Sequence, residues 1–241
     1  MIDTILFDLD GTLLQFTQED FISAYFSKLG KVFIGMGMDA EASIKAVWAG
    51  TKAMARNDGS ILNSKLFWKV FAEYSGLSDE QNNEVEAACD NFYITEFDSV
   101  KSILRPNGIS TRLVRALSDR GYTVALATNP MFPACAVETR LNWIGLKPCD
   151  FKHITHYANC TYCKPNPGYF NELLDRLNKT PAQCLMAGNN PVEDMSADKL
   201  GIETFLVMDC LENEAGADVT SFRRGALAEL EALLMSLPVI S

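Results

Sequence analysis

Hydrophobic residues follow two different periods along this chain, and the points where the period changes divide it. Near the start, Thr4-Ile5-Leu6-Phe7 is a short apolar run, with Ile2 just before it, that passes at once into Asp8-Leu9-Asp10-Gly11-Thr12. A short continuous run closed by polar residues and Gly predicts a buried strand and the turn at its C-terminal end. From about residue 15 to residue 98 the spacing becomes helical. Phe21, Ile22, Tyr25, Phe26 and Leu29 recur at one-turn intervals, as do Ile44, Val47 and Trp48, then Leu66, Phe67, Val70 and Phe71, then Val85, Ala88 and Phe92. Asn57-Asp58-Gly59-Ser60 and Ser75-Gly76-Leu77-Ser78 interrupt the pattern with turn residues and candidate N-caps, so about four helices are predicted.

After Arg105-Pro106-Asn107-Gly108 the two periods alternate. Leu113, Val114 and Leu117 suit a helix closed by Arg120-Gly121. Short apolar runs over 122–127, 151–155, 184–187 and 204–207 predict strands, with helices between or after them over 134–144, 169–178, 192–200 and 226–235. Strands alternating with helices predict a Rossmann-like parallel sheet covered by helices on both faces. The simplest assembly is an α/β core made of residues 1–15 and 98–241, interrupted after its first strand by an all-helical insertion over 16–97.

Composition narrows the function classes. Of 241 residues, 31 are Asp or Glu and 21 are Lys or Arg, a net charge of −10. That balance argues against nucleic acid or an anionic membrane surface as a partner, since both need a basic face. Met1-Ile2-Asp3-Thr4 has no basic segment and no apolar stretch of a secretory signal, and no run approaches the ~18–20 apolar residues of a membrane span. The seven cysteines are odd in number and irregularly spaced, so a reducing cytoplasm is expected rather than a disulfide framework.

Ligands of open parallel sheets bind beyond the carboxyl ends of the strands. The first predicted strand delivers Asp8, Asp10, Gly11 and Thr12 there, and the second delivers Thr128, Asn129 and Pro130. The segment after the third carries Lys164-Pro165-Asn166-Pro167, and the fourth delivers Gly188-Asn189-Asn190-Pro191-Val192-Glu193-Asp194. Such a set suits phosphoryl transfer. One carboxylate can attack phosphorus, and a second, two residues on, can protonate the leaving oxygen and then deprotonate water. A Mg²⁺ ion on oxygen ligands offsets the repulsion among the anions, and an ammonium and a hydroxyl can hold the phosphoryl oxygens.

Taken in order, these residues resemble the motifs of the haloacid dehalogenase-like hydrolase superfamily, in its phosphatase branch. Asp8 to Thr12 match that family's Asp-x-Asp-Gly-Thr in full, Thr128 its Ser or Thr after an apolar strand, Lys164-Pro165 its lysine motif, and Gly188 to Asp194 its Gly-Asp-x-x-x-x-Asp with one departure. The resemblance implies that Asp8 is the nucleophile and a Mg²⁺ ligand, and Asp10 the general acid/base with its backbone carbonyl on the metal. It implies that Thr128, Asn129 and Lys164 bind the phosphoryl group, and that Asn189 and Asp194 complete the metal site. The helical insertion becomes a cap over the site, and the substrate a small phosphorylated metabolite. The departure is Asn189, where the family usually has Asp. An amide oxygen brings no charge, so weaker metal binding is expected, with Glu193 as the neighbour that compensates.

Other readings fit these residues less well. A calcium loop starting at Asp8 would place Glu19 at its twelfth position, but Leu13 stands where such a loop needs Gly. His153, His156, Cys160 and Cys163 are four soft ligands within a short stretch, yet their spacing fits no zinc ribbon or finger. The cap aromatics are expected to form mainly a small core of their own. Lys45, Lys52, Arg56 and Lys65 are candidates to meet a second anionic group of the substrate. A phosphomutase would use the same motifs, and a binder of phosphorylated ligands with little metal affinity would find its only support in Asn189.

Overall fold

The computed structural model describes residues 1–240. One parallel sheet runs in the order β3-β2-β1-β4-β5-β6, from β1 (Thr4–Phe7), β2 (Thr123–Leu126), β3 (His153–Ile154), β4 (Cys184–Gly188), β5 (Glu203–Val207) and β6 (Arg224–Gly225). Its strands alternate sides as a period of two demands. Ile5 and Phe7 join Val124, Leu126, Leu185 and Ala187 on one face. Leu6 joins Ala125 and Met186 on the other. Helices α5 (Ile109–Asp119), α6 (Ala134–Trp143) and α8 (Leu227–Ser236) cover the first face, and α7 (Pro167–Leu177) the second.

Two sheet elements differ from the sequence pattern. The run over 151–155 yields only two ladder residues, although Lys152 and Thr155 still donate to Val124 and Leu126 on either side. Strand β6 carries no periodic signal because it is two residues long. It is held through backbone bonds from Leu206 to Arg223 and from Met208 to Gly225, each 2.9 Å.

Four helices lie between β1 and β2: α1 (Gln18–Gly35), α2 (Ala40–Ala55), α3 (Asn63–Ser75) and α4 (Asp79–Thr95). Polar caps start three of them. Thr17 accepts from the Asp20 N–H, Asp39 accepts from Ala42, and Ser78 with Gln81 forms a capping box. Their aromatic faces continue into the α/β unit, where Phe21 meets Phe132 edge-on at 5.9 Å between centroids. The start of α3 is also tied to the loop after β3, since Asn63 and Ser64 donate backbone N–H groups to the carbonyls of Cys160 and Tyr157. A 3₁₀ segment over Phe97–Ile103, without a signal of its own in the sequence, returns the chain to the sheet.

The helix predicted over 192–200 is reduced to a 3₁₀ segment, Met195–Leu200, ending at Gly201. The side chain of Asn190 accepts from the N–H groups of Val192 and Glu193, and Asp194 Oδ2 accepts from the Asn190 N–H. Side chains that take over backbone donors this way favour a turn over a helix.

The position of β1 decides where a site can form. From β1 the chain moves outward through β2 to β3, then crosses back to β4, β5 and β6 on the other side. The reversal opens a crevice beyond Phe7, whose register partners are Leu126 and Ala187.

Candidate active site

The crevice is built from three strand ends and one loop. Asp8 directly follows β1 and is fixed beside β4 by its N–H, which donates to the Ala187 carbonyl at 2.9 Å. The chain then turns sharply at Gly11, where φ is +78° and a Cβ would fall 2.1 Å from Asn189 Nδ2, so a side chain is excluded twice over. That close approach brings Thr12 Oγ1 to Asn189 Oδ1 at 3.1 Å, while Asn189 Nδ2 donates to the Cys210 carbonyl at 2.7 Å. After β2, the Thr128 carbonyl accepts from Thr155 Oγ1 at 2.7 Å and from Tyr169 Oη at 3.0 Å, which fixes the turn that presents this residue. Both ends of the Asn129 amide are engaged. Its oxygen accepts from the Lys164 N–H, and its nitrogen donates to Glu193 Oε2 at 2.7 Å.

Lys164 is the hub. It is fully buried, and its Nζ lies 3.0 Å from Asp8 Oδ1 and 2.6 Å from Asp194 Oδ1. Asp194 can come this close because residue 188 is a glycine: a Cβ there would meet the Asp194 carboxylate at 2.2 Å. Sequence positions 8, 128, 164, 189 and 194 therefore converge on one crevice, with Asp10 at its edge.

Charge in this crevice is unbalanced. Burial pushes the Asp8 carboxyl well above the ordinary range, opposed by Lys164 and reinforced by Asp194 and Asp10. Burial also opposes the Lys164 ammonium, but Asp194 and Asp8 outweigh it and hold Lys164 protonated. Burial raises Glu193 to about 7, with Asp194 adding to the shift and Lys164 and Asn129 opposing it. Several carboxylates thus compete for one ammonium.

That excess suits a divalent cation, and the donors available are hard oxygens: the Asp8 and Asp194 carboxylates, the Asn189 amide oxygen and a backbone carbonyl. No group of three His, Cys, Asp or Glu is poised to hold a metal among the described residues. With an amide at 189, the donor set is two carboxylates and neutral oxygens. Mg²⁺ commonly uses one or two carboxylates and completes its shell with water and substrate oxygens, so the residues present fit it.

The chain pattern did not disclose Arg140. This residue of α6 is fully buried, donates to Asp10 Oδ2, and stacks 4.4 Å over the Phe132 ring. Its signal was a long cation on the buried stripe formed by Ala136, Val137 and Leu141, where an apolar residue is expected.

Other candidates do not come together. Lys45, Lys52, Arg56 and Lys65 are exposed, and none lines the crevice; Lys45 pairs with Glu41 on its own helix. The four soft ligands of the β3 loop do not converge. Cys160 joins the second face of the core, and Cys163 Sγ accepts from Asn63 Nδ2 at 3.4 Å. A cavity of about 690 Å³ extends from Asp8, Asp10 and Thr128 into the inserted helices.

Comparison with known proteins gives the family and the fold. The sequence model of the haloacid dehalogenase-like hydrolases matches residues 2–199. A bifunctional riboflavin kinase/FMN phosphatase of Arabidopsis thaliana is 29% identical over 206 residues, 84% of this chain but only 48% of that protein. The chain thus spans about half the length of that relative. A phosphoglycolate phosphatase of Vibrio vulnificus is 27% identical over 204 residues, covering 85% of this chain and 82% of the relative. Among solved structures, the HAD phosphatase of Thermococcus onnurineus has the same fold, with a TM-score of 0.61 at 18% identity over 99% of this chain and 100% of that one.

Proposed function

The chain belongs to the haloacid dehalogenase-like hydrolase family, and from that premise we propose that it is a Mg²⁺-dependent phosphatase of a small phosphorylated metabolite, working through an aspartyl-phosphate at Asp8. The observation that carries this reading is the convergence of Asp8, Thr128, Lys164 and Asp194 on one crevice, with a buried ammonium 3.0 Å from the attacking carboxylate. Lys164 and the Thr128 hydroxyl hold the phosphoryl oxygens and turn the phosphorus toward Asp8 Oδ. Asp8 attacks, and the P–O bond to the leaving alcohol breaks as Asp10 delivers a proton to that oxygen. Asp10, now ionised, takes a proton from water as the water attacks the phosphorus, which releases phosphate and restores Asp8. Asp8, the Asp10 carbonyl, Asn189 and Asp194 would hold Mg²⁺, which would supply charge that neutralises the phosphoryl group. A cytoplasmic location belongs to the same proposal, and the seven free thiols suit a reducing compartment.

The test is phosphate release from a panel of sugar, nucleotide and small-acid phosphates, with and without Mg²⁺. Turnover is expected to need Mg²⁺ and to fall by about three orders of magnitude or more in Asp8→Asn, the scale expected for loss of a covalent nucleophile. Turnover that survives Asp8→Asn would exclude the aspartyl-phosphate route.

A further inference from the structure

The cavity that begins at the catalytic crevice does not end there. It continues between α1, α2 and α3 as one space of about 690 Å³. A two-carbon phosphate ester has about nine heavy atoms, or ~270 Å³ at roughly 30 Å³ per water-sized group, and would leave more than half of this volume to water. The far part is walled by Phe21, Tyr25, Val47, Trp48, Phe67 and Trp68. Polar atoms in this wall are already used: Tyr25 and Tyr93 share a hydrogen bond at 2.5 Å, and Trp68 Nε1 donates to Tyr157 Oη. In this wall Trp48 is 46% exposed although it sits 5.3 Å from the Phe26 ring, an apolar pair left open to water.

Charge along the same cavity points the same way. Arg105, an exposed residue, is the one basic side chain lining it among the described residues, whereas Glu19, Asp209, Glu212 and Glu214 line it on the acidic side. A second phosphate or a carboxylate on the substrate would meet these four carboxylates against the one exposed guanidinium of Arg105.

We propose that the substrate is a phosphate monoester whose alcohol part is a large, uncharged, aromatic or otherwise apolar group, seated against Phe21, Val47, Trp48, Phe67 and Trp68 while the phosphoryl group lies at Asp8. This rests on the phosphatase reading above and narrows its substrate class. The monoester's single anionic group uses the single ammonium of Lys164, and the apolar remainder displaces water from the aromatic wall.

The experiment compares ethyl phosphate, 2-phosphoglycolate and 2-(1-naphthyl)ethyl phosphate on the full chain with Mg²⁺. Ethyl and naphthylethyl phosphates leave as alkyl alcohols of similar acidity, so a difference between them reports binding of the apolar part. The naphthyl ester is expected to exceed ethyl phosphate about 100-fold or more in kcat/KM, and Val47→Trp, which fills the wall, to cut that ratio at least tenfold. Trp48→Ala, at an exposed position that tolerates change, is expected to cut it as well. Equal kcat/KM for the ethyl and naphthyl esters, or a preference for 2-phosphoglycolate, overturns the substrate class while the phosphatase reading stands. Quenching of tryptophan fluorescence by 2-(1-naphthyl)ethanol alone, reduced in Trp48→Ala with Trp68 left as the remaining wall tryptophan, supports the apolar subsite independently of turnover. With that quenching and no turnover of any ester, it is the phosphatase reading that fails.

Discussion

At the scale of single residues, the partners of Asp10 and Asn189 carry most of the consequences. Arg140 has no contact with water, and its guanidinium is held between the Asp10 carboxylate and the Phe132 face. Asp10→Asn leaves that cation buried and unpaired, at a cost on the order of 3 kcal/mol, the low end for a buried pair because Asp10 keeps some contact with water. Arg140→Met on the Asp10→Asn background removes the stranded charge and should recover most of that loss in urea unfolding. If the double variant is no more stable than Asp10→Asn, the pair is not the source of the cost. With Asp10 intact, Arg140→Met is expected to lower kcat by roughly tenfold to a hundredfold with little change in KM if Asp10 is the proposed acid/base, since Arg140 contacts Asp10 and would orient it without touching substrate. Asn189 gives a second prediction. Its Nδ2 donates to the Cys210 carbonyl, so Asn189→Asp sets a carboxylate against a carbonyl oxygen. The expected result is tighter Mg²⁺ binding together with a loss of about 1–3 kcal/mol of stability in the metal-free protein. Unchanged Mg²⁺ affinity would remove the idea that the amide weakens the metal site.

At the scale of elements, β3 and its loop carry a pH response. His153 Nε2 and His156 Nδ1 are buried without hydrogen-bond partners. Burial lowers both pKa values below 6.5, helped by Arg176 and, for His156, by His153. The unfolded chain therefore binds more protons than the folded one once the pH drops toward 6.5, and stability falls as the pH continues down through the folded values. His153→Gln/His156→Gln is expected to flatten that fall in thermal unfolding between pH 7 and 5; an unaltered slope would assign it to carboxylates. The same loop shows what could be read from the chain and what could not. Strands β1, β2, β4 and β5 are legible because their runs are local and continuous, and Asp8, Thr128 and Asn189 are legible because they sit where those runs stop. Lys164 has no such marker: it follows a loop of nine residues after β3 and reaches Asp8 only through the fold, so its motif rather than its period identifies it. Arg140 had neither, since its partner lies 130 positions away. The segment after Gly188 departs from its helical pattern because Asn190 and Asp194 side chains, not periodicity, decide its backbone.

At the scale of the whole molecule, the net charge of −10 would set the approach of the proposed anionic ester. Lys164 is buried, so its charge acts at contact distance, while Glu19, Asp209, Glu212 and Glu214 face the incoming substrate at the cavity. An enzyme that steers its anionic substrate with a basic surface loses kcat/KM as salt rises. Here the long-range field repels, and salt should relieve it, because the Debye length shrinks from about 30 Å at 0.01 M to about 8 Å at 0.15 M. With Mg²⁺ held constant and saturating, kcat/KM for a dianionic ester is expected to rise roughly twofold or more as KCl takes the ionic strength across that range. The rise belongs to association, so kcat at saturating substrate should stay flat. Glu212→Gln/Glu214→Gln, which removes two of the facing charges, should raise the low-salt value and flatten the salt dependence. A kcat/KM that falls with salt in the wild type would mean that local cations, Arg105 among them, dominate the path to Asp8, and that the overall acidity of the chain has no part in how the substrate arrives.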